Sequence, residues 1–436
     1  MRKYLFAAAP LALGAITGIA HADDSSVTLY GILDTAVANI EHGMNFDAYH
    51  PVANNPTVTK GTQSVTGVLN GGMSATRWGL KGEEDMGGGV KALFLLEQGF
   101  NVGSGNISNA AIGLAHNSST GPGMSADSAV SGQFFNRGAY AGLSSATYGT
   151  LTLGRHQSFF LDNIATFDPL MGSQAFSPIG FSGTYGGGGA TDDSRADNSL
   201  KYKLALGDFT LGALYKLGGV SGSSSAQSAY EINAVYSSGP LAVQLGYQGF
   251  KDAFAISNAT GTGTVKATAE DTNAYMVAAK YTWEALTVRA GYEREEYKNP
   301  SNPTLDLTVN SLFGTTLAAA PSVTAFPSQK NLNVYWLGGG YAFTPGFTLL
   351  LGGYHVSQND YDSAGCSDGK ELARCSGSLN YTSLVGDFTL SKRTDLYAGL
   401  MLSTVSGGPA AAVANTAPTP SETSNRIVAL GIRHRF

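Results

Sequence analysis

Charged residues are scarce in this sequence, and long apolar runs are almost absent. Only 13% of the 436 residues are Asp, Glu, Lys or Arg, whereas an ordinary soluble domain has about 25%. Beyond the N-terminus, no apolar run reaches the ~20 residues that a membrane-spanning helix requires. The composition therefore excludes a bundle of membrane helices as the architecture of the main part of the chain.

Cysteine is also rare in this sequence, and the net charge is negative. The two cysteines, Cys366 and Cys375, have eight residues between them in a polar Asp/Gly/Ser stretch. In an oxidising compartment this spacing predicts one local disulfide. The alternative, a metal-binding pair, has no neighbouring His or further Cys to complete a ligand set. The net charge of −6, which becomes −8 without Arg2 and Lys3, argues against a nucleic-acid partner.

Residues 1–22 have the three parts of a secretory signal peptide. A basic start (Arg2, Lys3) is followed by the apolar run Leu5–Ile19 and by Ala20-His21-Ala22, an A-x-A cleavage motif. The alternative, a membrane anchor, is disfavoured because the run is short and interrupted by glycine. We predict cleavage after Ala22, which leaves residues 23–436 as one domain of an exported protein.

Glycine and aromatic residues are abundant, with 57 Gly, 21 Tyr and 20 Phe. The stretch Thr76–Phe100 shows how they are used, because it reads as a hairpin whose arms alternate strictly. On the second arm, Lys91 and Glu97 share a face with Leu93 and Leu95, while the opposite face is wholly apolar. Strand side chains alternate with period 2, so one side of this hairpin prefers an apolar medium.

Two kinds of connection separate such arms along the whole chain. Seven are tight turns rich in Gly, Pro, Asp and Ser, at Asp85–Gly89, Ser144–Gly149, Leu206–Asp208, Ser237–Pro240, Trp283–Ala285, Thr344–Gly346 and Ser391–Asp395. Eight are long and polar, at Glu41–Ser74, Asn101–Gln133, His156–Ala196, Gly218–Gln227, Lys251–Asp271, Lys298–Gln329, Asn359–Ser378 and Ser406–Thr423. These fifteen connections imply sixteen strands, and short turns at one end with long loops at the other are typical of outer-membrane barrels.

The predicted fold is all-β: a sixteen-stranded antiparallel transmembrane β-barrel with short periplasmic turns and long extracellular loops. Arms of about ten residues fit a tilted strand that crosses a bilayer. The sheet must close, because an open edge would leave unpaired backbone groups in hydrocarbon, and sixteen strands enclose a water-filled lumen. Around Trp336 and Leu349–Leu351 both faces are apolar, so the facing of these two arms stays open.

Six segments of the sequence resemble the general-diffusion porins of Gram-negative bacteria, especially the beta-proteobacterial type. They are Val27–Asp34, Thr76–Asp85, Val90–Phe100, Phe135–Gly154, Leu390–Tyr397 and Ile427–Phe436. The resemblance is collinear over the mature chain. It implies an outer-membrane homotrimer in contact with lipid and lipopolysaccharide, whose third long loop, His156–Ala196, folds into the lumen. Passive passage of small hydrophilic solutes and ions is the implied function, and no cofactor is expected.

The resemblance also implies a constriction in which basic wall residues face acidic loop residues. Arg77 and Arg137 match the basic ladder by motif position, Lys81 joins them by same-face alternation, and Arg195 stands where a further basic residue often starts the next strand. The candidate acids are Asp162, Asp168, Asp192 and Asp193 in the loop and Asp34, Glu83 and Glu97 on the wall. For each residue the alternative is a salt-bridged or solvated wall residue, and which acid reaches the gap stays open. Aromatic residues are predicted to anchor the loop, namely Phe159, Phe160, Phe167, Phe176 and Phe181.

Opposed charges across a narrow, water-filled gap would create a transverse field. Such a field orients dipolar solutes and biases ions by sign. We therefore predict weakly selective, passive diffusion through a charged constriction.

The last strand ends in a pattern of its own. One face carries Val428, Leu430, Ile432 and the terminal Phe436, with the less apolar His434 between them. This resembles the signal by which the barrel-assembly machinery recognises its substrates. The alternative, an ordinary terminal strand, predicts no preference for a terminal Phe.

Three other functions compete with a general channel. An enzymatic barrel needs a Ser/His or Asp/His constellation. Of the six histidines of the mature chain, His42, His50 and His116 lie in polar loops without a nucleophile motif, His434 belongs to the terminal strand pattern, and His156 lies at the start of the third long loop. An adhesin would use the long surface loops and would not conduct. A solute-specific porin would show an aromatic track, for which Phe159, Phe160 and Phe167 are candidates, although loop anchoring explains them equally well.

Overall fold

The computed structural model describes residues 25–42, 63–103, 105, 134–179, 195–251, 254–257, 264–267, 271–301, 303, 305–307, 311–312, 315–316, 324, 326–362, 365–366, 374–409 and 422–436. The predicted signal segment, residues 1–22, lies outside these ranges. So do three residues of the third long loop, Phe181, Asp192 and Asp193.

Among the described residues, seventeen strands form a single sheet. They are β1 (Ser26–His42), β2 (Gln63–Asn70), β3 (Arg77–Asp85), β4 (Val90–Gly99), β5 (Gly138–Ser145), β6 (Gly149–Gln157), β7 (Arg195–Leu206), β8 (Phe209–Lys216), β9 (Ala229–Ser238), β10 (Leu241–Lys251), β13 (Asp271–Trp283), β14 (Leu286–Lys298), β18 (Lys330–Thr344), β19 (Phe347–Gln358), β20 (Gly377–Thr389), β21 (Thr394–Gly407) and β22 (Glu422–Arg435). Shorter strands pair outside this sheet, namely β11 (Phe254–Ser257), β12 (Thr264–Ala267) and β15 (Leu305–Leu307) together, and β16 (Ser311–Leu312) with β17 (Thr315–Thr316).

The large sheet closes into a barrel because its first and last strands pair. On one side β1 pairs antiparallel with β22, for example Thr35 with Ile432. On the other side β1 pairs with both β2, through residues 35–42, and β3, through residues 26–32. Since β2 and β3 are two halves of one interrupted wall strand, the wall has sixteen strands, which confirms the predicted count.

The short turns also confirm the prediction, since all seven join consecutive wall strands. In the turn between β3 and β4, Gly87, Gly88 and Gly89 have φ values of 80°, 64° and 77°. Only glycine adopts this left-handed conformation without a steric cost. The local sequence therefore determines where this hairpin reverses.

Apolar side chains cover the outer face of the barrel. Leu245 and Leu337 are 56% and 62% exposed, whereas their chain neighbours Gln244 and Trp336 are buried on the inner side. A soluble protein avoids so large an exposed apolar surface, and a barrel in lipid requires it. The alternation that the sequence predicts is therefore that of a membrane wall.

Packing in the lumen settles the facing of the two strands that are apolar on both sides. Trp336 points inward and donates a hydrogen bond from Nε1 to the Phe167 carbonyl (3.0 Å). On the neighbouring strand Leu350 points inward and is 1% exposed, while Leu351 points outward and is 54% exposed. Both faces are apolar here because the inner face packs against the third long loop.

That loop contains the helix α1 (Phe159–Phe167). Ser158 caps its start, since Oγ accepts a hydrogen bond from the Leu161 N–H (3.1 Å). It ends at Asp168 because the following Pro169 disfavours a helical conformation in the residue before it. In the described part of the chain, no helix has both the length and the apolar character needed to cross a membrane.

Residues 159–179 run along the inside of the barrel. Trp336 on β18 and Ser383 on β20 donate hydrogen bonds to carbonyls of this segment, and its Ala175 N–H donates to the Gly72 carbonyl between β2 and β3. These partners are spread around the wall, so one segment can reach all of them only from the lumen. Over its described residues, the third long loop therefore folds inward as predicted.

The predicted disulfide between Cys366 and Cys375 is present, with a Cα–Cα distance of 5.6 Å. Hydrogen bonds attach this loop to the end of β19. Gln358 Nε2 donates to the Cys375 carbonyl (2.8 Å), and the Tyr361 N–H donates to the Arg374 carbonyl (3.0 Å).

Candidate functional site

Glu97 is the centre of a basic cluster on the inner wall. Its carboxylate accepts hydrogen bonds from Tyr30 Oη (2.8 Å) and Arg137 Nε (2.7 Å), and lies 3.4 Å from Arg77 Nε. The exposed fractions of the side chains are 25% for Arg77, 13% for Arg137 and 10% for Glu97. Two guanidinium groups thus share one carboxylate, which leaves the cluster with a net positive charge.

Strand register brings this cluster together. Tyr30 pairs with Gly79 across β1 and β3, Gly79 pairs with Glu97 across β3 and β4, and Glu97 pairs with Gly138 on β5. A Cβ at Gly79 would lie only 2.8 Å from Tyr30 Oη and 2.6 Å from the Leu96 carbonyl oxygen. Gly79 therefore leaves the space through which the tyrosine reaches the carboxylate.

Lys81 extends the cluster along β3. It is exposed on the same strand face as Arg77 and Gly79, and its Nζ lies 5.5 Å from the centre of the Tyr30 ring. This is within the range of a cation–π interaction. Its charge is in contact with water.

Arg195 lies behind this cluster rather than at its surface. It is buried at the start of β7, close enough to Arg137 and Glu97 for their charges to act on it. Nearby, Arg155 pairs with Asp197 (2.5 Å) and donates from Nε to the Asn136 carbonyl (2.8 Å). Arg155 therefore ties β6 to β7 within the same chain.

Charged side chains of the wall hold α1 at both ends. The Phe159 and Phe160 N–H groups donate to the Glu231 carboxylate at 2.9 and 3.1 Å. At the other end, Arg289 Nε donates to the Thr166 carbonyl (3.0 Å). An acid at the N-terminus and a base at the C-terminus both complement the helix dipole, so the wall determines the direction of α1 across the lumen.

Inward-facing glycines receive large side chains of the third loop. The pairs are Gly212 with Phe159, Gly246 with Phe160, Gly352 with Leu170, and Gly399 with Phe176. In each pair, a Cβ on the glycine would overlap the side chain that packs on it. The predicted aromatic anchors therefore do pack against the wall, within the part of the loop that the structure describes.

We expect Gly246→Val to displace Phe160 and loosen the constriction. Overpacking of this kind costs about 1–3 kcal/mol, so the thermal unfolding temperature in detergent should fall and single-channel current should become noisier. Gly67→Val is the matched control, because a Cβ at Gly67 has nothing within 4 Å. Equal behaviour of the two variants would contradict the role of Gly246 in seating the loop.

Asp162 faces water on α1 but is already paired with a cation. Lys201 Nζ, on β7, donates to Asp162 Oδ2 (2.6 Å) and to the Gln157 carbonyl (2.7 Å). The Asp162 side chain is 33% exposed. The Asp162 carboxylate is therefore exposed to the lumen, but its charge is neutralised by Lys201.

Asp168, at the end of α1, is buried between the third loop and the wall. Its carboxylate accepts hydrogen bonds from Tyr354 Oη (2.6 Å) and the Gly172 N–H (2.6 Å). Burial raises the pKa of the Asp168 carboxyl above its ordinary value, and these hydrogen bonds oppose that rise. The side chain holds the turn after α1 against β19 and has no contact with water.

Asp34 is buried as well, at the break between β2 and β3. Its carboxylate accepts three consecutive backbone N–H groups, from Gly72 (2.9 Å), Met73 (3.1 Å) and Ser74 (2.7 Å), and the Tyr397 hydroxyl (2.5 Å). The same Gly72 offers its carbonyl to the third loop. Asp34 thus supports the point of the wall where the end of the loop is attached.

The predicted site residues therefore separate into two groups. Arg77, Lys81, Arg137 and Glu97 form one water-accessible cluster, with Arg195 buried beside it. The remaining acids that the structure describes are in ion pairs or hydrogen bonds elsewhere, at Asp34, Glu83, Asp162 and Asp168.

Sequence reasoning missed three residues that build the site. Tyr30 lies within the family motif Val27–Asp34, and Lys201 lies on the polar face of an alternating strand, so the sequence pattern could have indicated both. No sequence pattern indicates the role of Glu231, because the helix end that it binds is 72 residues away in the chain.

Comparison with known proteins identifies the barrel. A family model described as Gram-negative porin matches residues 7–408. The chain belongs to the Gram-negative porin family. This porin is 28% identical over 454 residues to an outer membrane porin protein of Bordetella pertussis, with 100% of both chains covered.

Solved structures show the same fold. An anion-selective porin from Comamonas acidovorans is similar with a TM-score of 0.62 and 23% identity, over 95% of this chain and 100% of that chain. The in-vitro folded OmpT of Vibrio cholerae, in its trimer form, is similar with a TM-score of 0.52 and 14% identity, over 95% and 100% of the two chains.

These findings establish what kind of molecule the barrel is. It is an outer-membrane channel for passive diffusion, as its porin relatives are, and not an enzyme. The predicted family, fold, location and general function are confirmed.

Proposed function

We propose that this porin conducts small hydrophilic solutes and ions through a charged constriction that favours anions. The observation that carries the proposal is the sharing of Glu97 by Arg77 and Arg137, with Lys81 exposed beside them. Among the described residues, Lys81 has no ion pair of its own. An unneutralised positive wall at a narrow, water-filled passage attracts anions and repels cations. The similar porin from Comamonas acidovorans is anion-selective, which supports this assignment.

The test is a reversal-potential measurement on the purified porin in a planar bilayer under a potassium chloride gradient. We expect the reversal potential to have the sign of the chloride equilibrium potential. A reversal potential of zero or of the opposite sign would contradict anion preference. A barrel that does not conduct at all would favour the adhesin alternative.

Homotrimerisation is part of the same proposal. The OmpT structure is described as a trimer form, and the outer face of this barrel offers apolar surface for subunit and lipid contacts, including contacts with lipopolysaccharide. Light scattering of the detergent complex should give the mass of three chains. The mass of one chain would overturn the trimer.

Export and assembly complete the proposed route of the chain. We infer cleavage after Ala22, so N-terminal sequencing of the membrane form should begin at Asp23. A mature N-terminus at any other residue would contradict the predicted cleavage site.

We expect Phe436→Ala to lower the amount of folded barrel in the outer membrane. The Phe436 backbone exchanges two hydrogen bonds with Gly31 (3.0 and 3.1 Å), and its ring covers Gly31 on the seam between β1 and β22. As the terminal aromatic, it is also the residue that we propose the barrel-assembly machinery reads. Phe388→Ala, another outward phenylalanine, is the control. The folded fraction is measured by heat-modifiable migration on gels, and equal losses would remove any special role for the terminal residue.

A further inference from the structure

Two leucines lie on the water-filled side of the barrel wall. Leu93 and Leu95 on β4 alternate with outward residues and share the inner face with Glu97. Leu95 pairs with Lys81 on one side and with Tyr140 on the other. Leu93 pairs with Gly142 on one side and with Glu83 on the other, and the Glu83 carboxylate is itself paired with Lys91 (3.1 Å). Register therefore places apolar side chains directly beside the basic cluster.

These leucines differ from the other apolar residues of the inner face. Trp336, Leu350 and Val385 are buried in one apolar cluster with side chains of the third loop. Leu93 and Leu95 are only partly buried. They therefore leave part of their apolar surface in contact with water.

Aromatic rings border the leucines on the same inner face. Tyr30 lies under Lys81, and Tyr140, beside Leu95, stacks on His156 with ring centres 4.8 Å apart. The residues that pair with Leu93 and Tyr140 on the next strands are glycines, Gly142 and Gly154, so no side chain rises beside them at these two positions. The inner face therefore has two leucines in the middle, a tyrosine ring on either side and the Lys81 ammonium at one end.

This surface also lies close to α1 of the third loop. The Tyr140 hydroxyl lies within electrostatic range of Asp162 on α1. The row that contains Leu93 continues through Gly142 and Thr152 to Lys201, the partner of Asp162. A solute that passes between the wall and α1 therefore passes over the leucines.

We propose that the surface formed by Leu93, Leu95, Tyr30, Tyr140 and Lys81 is a binding site for organic anions with an apolar body, such as aromatic or branched carboxylates. The apolar body would lie on the leucines, and the carboxylate would pair with the Lys81 ammonium. Removing apolar surface from water supplies the affinity, and the cation supplies the orientation. The inference rests on the proposed anion preference and names the class of solute that gains most from it.

The test compares acetate with benzoate as inhibitors of chloride current through single channels of the full-length porin. Both anions carry one carboxylate, so charge alone predicts similar inhibition. We expect benzoate to reach half-inhibition at a concentration roughly fivefold lower than acetate, the size expected when one face of a small ring leaves water.

A matched pair of double variants isolates the leucines. Leu93→Gln/Leu95→Gln should bring the two half-inhibiting concentrations together, whereas Leu93→Met/Leu95→Met, of nearly the same shape but apolar, should keep them apart. Equal inhibition by acetate and benzoate in the unmodified porin would overturn the proposal. So would retention of the difference in the glutamine variant, or its loss in both variants.

Failure of this site and failure of the anion preference give different results. The acetate-to-sodium permeability ratio, from reversal potentials in sodium acetate gradients, reports on the basic cluster and should be the same in both double variants. A ratio below one with benzoate still favoured over acetate would contradict the anion preference alone. A ratio above one without benzoate discrimination would contradict the organic-anion site alone.

Discussion

Replacing Arg77 and Arg137 together by Gln is expected to abolish or reverse the ion preference of the channel. Glu97 would keep its charge and lose both guanidinium partners, so the centre of the cluster would change from positive to negative. Each unit charge about 5 Å from the ion path contributes about 1 kcal/mol in water. The chloride-to-potassium permeability ratio, measured from reversal potentials, should therefore fall at least about tenfold.

Two further variants separate local charge from other effects. Lys392→Gln/Arg393→Gln removes the same charge from an exposed turn, where salt at 0.1 M screens interactions beyond about 10 Å. Arg77→Lys/Arg137→Lys keeps the charge but loses the planar guanidinium geometry. We expect little change in selectivity from either. A shift in the turn variant as large as that in the Arg77/Arg137 variant would show that the cluster does not control selectivity.

Asp34→Asn is expected to destabilise the barrel and loosen the constriction at the same time. The carboxylate accepts three backbone N–H groups and the Tyr397 hydroxyl, and an amide has only one acceptor oxygen. Donors left unsatisfied in a buried site cost about 1–3 kcal/mol each. The free energy of unfolding, measured in urea with detergent, should therefore fall by about 3 kcal/mol.

The effect on the channel follows from the contacts of the same segment. Gly72 receives hydrogen bonds from the Ala175 N–H (2.9 Å) and Ser173 Oγ (2.7 Å) of the third loop. If residues 72–74 move, the end of the loop loses its attachment, and single-channel current should fluctuate more. Asp208→Asn, the same change at an exposed turn, is the control. If the Asp34 variant had the unmodified free energy of unfolding and no added current fluctuation, this carboxylate would be dispensable.

Local patterns predicted the wall of the barrel well. Turn residues and period-2 alternation act over a few residues, so they located all seven tight turns and most strand faces without knowledge of the fold. They did not predict the break between β2 and β3. That break depends on Asp34, which is 38 to 40 residues away from the amides it binds.

The charged cluster on the inner wall was predicted only in part. Arg77, Arg137 and Glu97 were identified and do meet. Arg77 and Glu97 lie on the two strands of one hairpin, and Arg137 directly precedes β5, which pairs with β4. Sequence patterns do not rank the acids of the wall and of the third loop against one another. The structure separates them, since Asp168 is bound by Tyr354, 186 residues away, and Asp162 by Lys201, 39 residues away.

The sequence by itself determined that this chain is a porin barrel with a basic wall beside its first hairpin. Strand alternation, turn residues and the motifs of the family are all local in the chain, and they need no tertiary information. Only the tertiary structure decided which charges remain available to passing solutes. A carboxylate that is buried or paired contributes little to the field in the lumen, and burial and pairing depend on contacts between strands far apart in sequence.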